Sequence, residues 1–88
     1  MTDRSVARIG DPISHGGSII QGSVTVFVNS IGVARLGDAV HCNIHGAQVI
    51  SSASLTVFVN SKAVARMGDS ISCGAVISSG STSVYAGG

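Results

Sequence analysis

The sequence predicts an all-β domain made of three like units, and residue choice, punctuation and repetition each point there. Val and Ile together number 21 of the 88 residues, against two Leu, and Glu is absent. β-Branched side chains suit a pleated, half-buried surface, whereas a helical domain favours Leu, Glu, Lys and Ala. Twelve Gly and fifteen Ser break the apolar runs every few residues, with a single Pro at Pro12, as short strands joined by tight turns require. The phrase Val-Ala-Arg-x-Gly-Asp recurs at residues 6–11, 33–38 and 64–69. Repetition at this period means stacked or radially arranged supersecondary units.

Each unit reads the same way from its start. The steps Gly10-Asp11, Gly37-Asp38 and Gly68-Asp69 are turns, Gly supplying an unusual φ and Asp bonding its own downstream backbone. Arg8, Arg35 and Arg66 stand three residues before these aspartates. They read as features of register and solubility, because exposed ion pairs contribute only ~0–1 kcal/mol. Their identity in triplicate argues against a catalytic role. A second block, Val24-Thr25-Val26-Phe27-Val28-Asn29-Ser30, returns as Leu55-Thr56-Val57-Phe58-Val59-Asn60-Ser61 and in decayed form as Ser83-Val84-Tyr85-Ala86-Gly87. A strand period of two places Val24, Val26 and Val28 on one side and Thr25 and Phe27 on the other. Phe27, Phe58 and Tyr85 then recur as a ring packed at the edges of the units. The units run approximately over residues 6–32, 33–63 and 64–88, and residues 1–88 form one domain.

Composition excludes several classes. Hydrophobic residues make up 44% and charged residues 10%, well under the ~25% charged fraction of typical soluble domains, so the chain is not disordered. A net charge of +1 gives no basic field for nucleic acid or an anionic membrane. No apolar run approaches the ~18 residues of a membrane span, and the start Met1-Thr2-Asp3-Arg4 lacks a secretory apolar region. The expectation is a chain that starts out cytosolic and is not exported by the classical route. A domain this short gains from a staple: a metal, a disulfide, or burial against a partner.

The donors for such a staple lie in one part of each unit. Four residues after Asp11 comes His15-Gly16, and four after Asp69 comes Cys73-Gly74. Four after Asp38 comes Cys42, but His45-Gly46 comes seven after it, so the second unit carries three extra residues there. An apolar doublet follows each time (Ile19-Ile20, Val49-Ile50, Val76-Ile77), which sets His15, His45 and Cys73 as equivalent. Two imidazoles and a thiol are a partial zinc set, and His41 and Cys42 are the candidates for a fourth ligand. A Cys42–Cys73 disulfide is the competing staple, disfavoured without an export signal. A catalytic ion needs an open position and a nearby general base. There is no Glu, and Asp11, Asp38 and Asp69 occupy repeated turns, so the ion is expected to be structural.

These residues resemble the PAAR-repeat family. The family's phrase stands here as Ser-Val-Ala-Arg at 5–8, Gly-Val-Ala-Arg at 32–35 and Ala-Val-Ala-Arg at 63–66, without the Pro. The Ala-Arg-x-Gly-Asp core, the His-Gly and Cys-Gly steps and the Val-Phe-Val-Asn block match, over essentially the whole chain. The resemblance implies a compact cone of short β-strands that caps and sharpens the trimeric VgrG spike of a type VI secretion system. It implies one chain per trimer, with the apex driven into the target cell as effectors are delivered. Structural Zn²⁺ near the apex is held in the family by three histidines and one cysteine, which implies His15, His41, His45 and Cys73 here, with Cys42 the alternative to His41. The implied role is structural and not enzymatic. The expectation is a chain without an effector extension, with effectors attached non-covalently or carried elsewhere on the spike, and with neither a nucleic-acid partner nor stable membrane insertion. The chain would sit in the bacterial cytoplasm before firing and then be secreted or delivered. The alternatives are a free-standing structural zinc-binding interaction module, and the tip of a related contractile, phage-like injection machine.

Overall fold

At the centre of the molecule three alanines close a ring. The Ala7 N–H donates to the Ala65 carbonyl at 2.9 Å, Ala34 to Ala7 at 2.9 Å, and Ala65 to Ala34 at 3.0 Å, and all three residues are fully buried. Single-residue bridges Val6↔Arg66, Arg8↔Val33 and Arg35↔Val64 flank the ring. All three pack in the same buried cluster as the isoleucines, so a larger side chain at the second position of the phrase would overpack it. The computed structural model describes residues 4–87. Residues 1–3, where a leader would begin, and residue 88, the end of the third unit, lie outside the described residues.

Among the described residues all regular structure is β: β1 Arg4–Ser5, β2 Gly17–Ile19, β3 Phe27–Val28, β4 Ile31–Gly32, β5 Ala39–Cys42, β6 Gly46–Val49, β7 Phe58–Val59, β8 Lys62–Ala63 and β9 Tyr85–Ala86. All pairings are antiparallel, in sheets β1-β9, β2-β5-β6, β3-β4 and β7-β8. The pairs β3-β4 and β7-β8 are equivalent hairpins, with Phe27 opposite Gly32 and Phe58 opposite Ala63. Their third counterpart is β1-β9, with Tyr85 opposite Ser5. The third lobe is therefore completed by the beginning of the chain, which stitches the two ends together.

The interior falls into two layers around the alanines. One holds Ile13, Val40 and Ile71 with Ile19, Ile50 and Ile77, and reaches Cys42 and Cys73. The other holds Val6, Val33, Val64 and Ala86, with Val28 and Val59 packed on them. Val6, Val33 and Val64 each precede a ring alanine, so adjacent residues serve opposite layers, as the alternation of extended backbone dictates.

Two sequence expectations change here. The block beginning at Val24 is not one continuous strand. Ser23, Ser54 and Ser81 each fold it into a turn by accepting N–H groups two and three residues on (Thr25 and Val26, Thr56 and Val57, Ser83 and Val84). Val24 is left 86% exposed, while Val26, at 37%, stands on the wall of a surface hollow. The chain then reverses through Asn29-Ser30 and Asn60-Ser61, all four at positive φ (54–65°), as a two-residue hairpin matched to strand twist requires. Phe27, Phe58 and Tyr85 do form a repeated ring, but each is more than half exposed.

The second change concerns the Arg/Asp pairs: their carboxylates are buried, with Arg66 buried and Arg8 and Arg35 half-buried. Asp38 is fully buried, Asp69 and Arg66 nearly so, and Asp11 is also in the interior. Each guanidinium grips both carboxylate oxygens of its Asp, while one of those oxygens also accepts the arginine's own backbone N–H at 2.8 Å. Bidentate charge-assisted bonds of this kind fix geometry. The free arm of each guanidinium reaches the end of its unit: Asn29 Oδ1, Asn60 Oδ1 and the Gly87 carbonyl. The same three acceptors take the hydroxyls of Ser81, Ser23 and Ser54 from neighbouring units. These bonds tie each turn to the end of its own unit and to a neighbouring unit.

Candidate metal centre

On the far side of the isoleucine layer from the alanine ring, the turns of the three units converge. In the first unit the Gly16 N–H closes on the Ile13 carbonyl, and in the third Gly74 closes on Ile71. Gly16, Gly46 and Gly74 have φ of 79°, 77° and 94°, a left-handed turn that glycine enters at least cost. Each such glycine follows a donor, so His15, His45 and Cys73 are presented at the tips of tight turns.

The second unit departs from its neighbours by more than the sequence spacing indicated. Hydrogen bonds from Ile19, Ile50 and Ile77 to the carbonyls of Asp11, Asp38 and Asp69 mark the three isoleucines as equivalent. They lie eight, twelve and eight residues after those aspartates, so the insertion is four residues long, two on each arm of a hairpin. The added pairs are His41↔Ala47 and Cys42↔Gly46, beyond Val40↔Gln48.

That extension decides which side chain faces in. Along β5 Val40 is buried, His41 exposed and Cys42 only 1% exposed. Val40 occupies the core place of Ile13 and Ile71, and two residues further on along the same face come Cys42, His15 and Cys73. The structure thus brings together His15, Cys42, His45 and Cys73, whose donor atoms all lie within 4.8 Å of one another. His41 points away, in register with Ser18 on one side and Ala47 on the other. The parity of strand β5 is the signal in the sequence that separates the two candidates.

The spacing within the group suits a tetrahedral ion. Cys42 Sγ lies 3.5 Å from His45 Nδ1 and 3.9 Å from His15 Nδ1, and Cys73 Sγ lies 3.7 Å from His15 Nδ1. A zinc tetrahedron with sulfur at ~2.3 Å and nitrogen at ~2.0–2.1 Å has S···N edges of about 3.6 Å. The two imidazole rings sit 5.3 Å apart at 50°, so both nitrogens turn toward the sulfurs without stacking. Both cysteines are free thiols. Burial by itself pushes the Cys42 thiol up, but the backbone N–H groups of His45 and Ile44, followed by the imidazoles of His45 and His15, outweigh it and hold the thiol at about 6 against an ordinary 9.0. A sulfur biased toward thiolate is the form that ligates a metal. Two thiolates and two imidazoles, a soft N/S set, fit zinc and other thiophilic ions rather than Mg²⁺ or Ca²⁺.

A model of the PAAR motif matches residues 9–79 of the chain. Comparison with curated proteins finds no match.

Proposed function

From the premise that the chain belongs to the PAAR-motif family of type VI secretion spike-tip proteins, we propose that it caps a trimeric VgrG spike, one chain per trimer, as a structural rather than catalytic part. The observation that carries this is a threefold apolar face opposite the metal centre. Val6, Val33 and Val64 floor a hollow of about 160 Å³ that is walled by Val26, Val57 and Val84. Around it stand the exposed rings of Phe27, Phe58 and Tyr85, with Val24 and Leu55 at 86% and 81% exposure. Monomeric soluble proteins seldom display so contiguous an apolar face. One chain with three like lobes offers three similar edges to a threefold partner, and docking on β-structure covers short strand edges that are otherwise open.

In this reading His15, Cys42, His45 and Cys73 hold one structural Zn²⁺ at the apex, opposite the docked face. The bound ion closes three turns that have too few side chains between them to pack against one another, and so stiffens a point. The protein is made in the bacterial cytoplasm and leaves with the fired spike, with effectors attached non-covalently or carried elsewhere on it. Native mass measurement of the chain mixed with a VgrG trimer tests the proposal. One chain per three spike subunits is expected, and Val57→Glu abolishes the complex while metal content is retained. A chain that stays free at micromolar concentration is instead a free-standing zinc module.

A further inference from the structure

The unit from which each donor comes gives the metal centre a chemistry that a single-thiol site lacks. His15 is the donor of the first unit, Cys42 and His45 belong to the second, and Cys73 to the third. The two sulfurs are free and lie within 4.8 Å of each other. Cys73 is half-buried, on a turn tip, whereas Cys42 is enclosed. Accessibility therefore orders them: an oxidant reaches Cys73 first, and Cys42 is placed to resolve the product.

We infer that the centre is a redox-releasable metal site in which a hydroperoxide converts the two thiolates into a Cys42–Cys73 disulfide and expels the ion. The inference rests on the metal assignment made above. The Cys73 thiolate attacks a peroxide oxygen, the O–O bond breaks, and a sulfenic acid and hydroxide result. The Cys42 thiolate then attacks the Cys73 sulfur, the S–O bond breaks, and a second hydroxide leaves. Two protons from solvent convert both hydroxides to water, and two electrons have passed from sulfur to peroxide. The ion, left with two imidazoles, dissociates. The sulfurs must close to ~2.05 Å, a movement available to Cys73 on its three-residue turn. The disulfide still ties the second unit to the third, whereas the first unit's turn keeps only its hydrogen bonds to Asn43 and Val76, so oxidation loosens that turn the most.

The experiment is titration of the zinc-loaded chain with hydrogen peroxide, following zinc release with a chromogenic chelator and intact mass in parallel. One zinc is expected per peroxide consumed, the mass falling by the two thiol hydrogens and peptide mapping joining Cys42 to Cys73. Hydrogen exchange should rise in the turn around His15 and not around residues 70–78. Cys73→His, which leaves a single thiol, should bind zinc and form no intramolecular disulfide. Zinc retained at equimolar peroxide, or released with added oxygen and no disulfide, overturns this inference and leaves the metal assignment intact. A chain that binds no zinc overturns both.

Discussion

The alanine belt and the metal apex obey the same repeat in opposite ways. At the belt every role is filled three times by the same residue: Ala7, Ala34 and Ala65 close the hydrogen-bond ring, and three Arg/Asp pairs lock the turns beside it. At the apex the same three units supply four donors of two kinds. Packing around an axis is satisfied by threefold identity. A tetrahedral ion is not, because three equivalent side chains leave it one ligand short. In the proposed centre, the four-residue insertion in the second unit supplies the fourth donor and breaks the symmetry only there.

The sharpest way to break that contrast is at the fourth donor. Cys42→Ala should abolish stoichiometric metal binding and cause the largest loss of stability of any single change, since structural zinc contributes about 10–16 kcal/mol in small domains. Metal analysis with thermal unfolding reads both effects. Next comes the belt. Asp69→Ala leaves the nearly inaccessible Arg66 guanidinium without its counter-charge, and removing one partner of such a pair costs about 3–5 kcal/mol. The equivalent Asp11→Ala, beside a more solvated Arg8, should cost less in chemical denaturation. A smaller effect follows from Ala34→Val, which forces two methyl groups into the buried cluster for an overpacking cost of about 1–3 kcal/mol. Its metal content should be unchanged. The smallest effect is expected for His41→Ala, an exposed position. Stability within about 0.5 kcal/mol of the parent and full metal occupancy are the outcomes; loss of the ion would reverse the assignment of the fourth donor.

Much of this was legible in the residues alone. The threefold repeat, the all-β class and the matched places of His15 and Cys73 follow from identity and spacing, because repeated sequence must take repeated conformation. The inward face of Cys42 is legible as well. Val40 stands where Ile13 and Ile71 stand in the other units, and strand parity then turns residue 42 inward. Counting to the His-Gly step instead gave three extra residues, since a hairpin insertion is shared between two arms and only the hydrogen bonds of Ile50 reveal the fourth.

Other features had no local signature. An Arg three residues before an Asp looks the same whether solvated or enclosed. The burial of Arg66 and Asp69 depends on the end of the third unit, whose Gly87 carbonyl takes the remaining guanidinium arm. The turns at Ser23, Ser54 and Ser81 were hidden inside a run that alternates like a strand, because one hydroxyl accepting two backbone N–H groups outweighs the apolar pattern around it.

The sequence by itself determined that three like units share one axis and that nitrogen and sulfur donors cluster in their turns, for these are consequences of periodicity and residue type. Only the tertiary structure decided which pairs are buried and that Arg4–Ser5 completes the lobe begun by Tyr85–Ala86. Each of those depends on contacts between residues far apart in the chain, which no local pattern encodes.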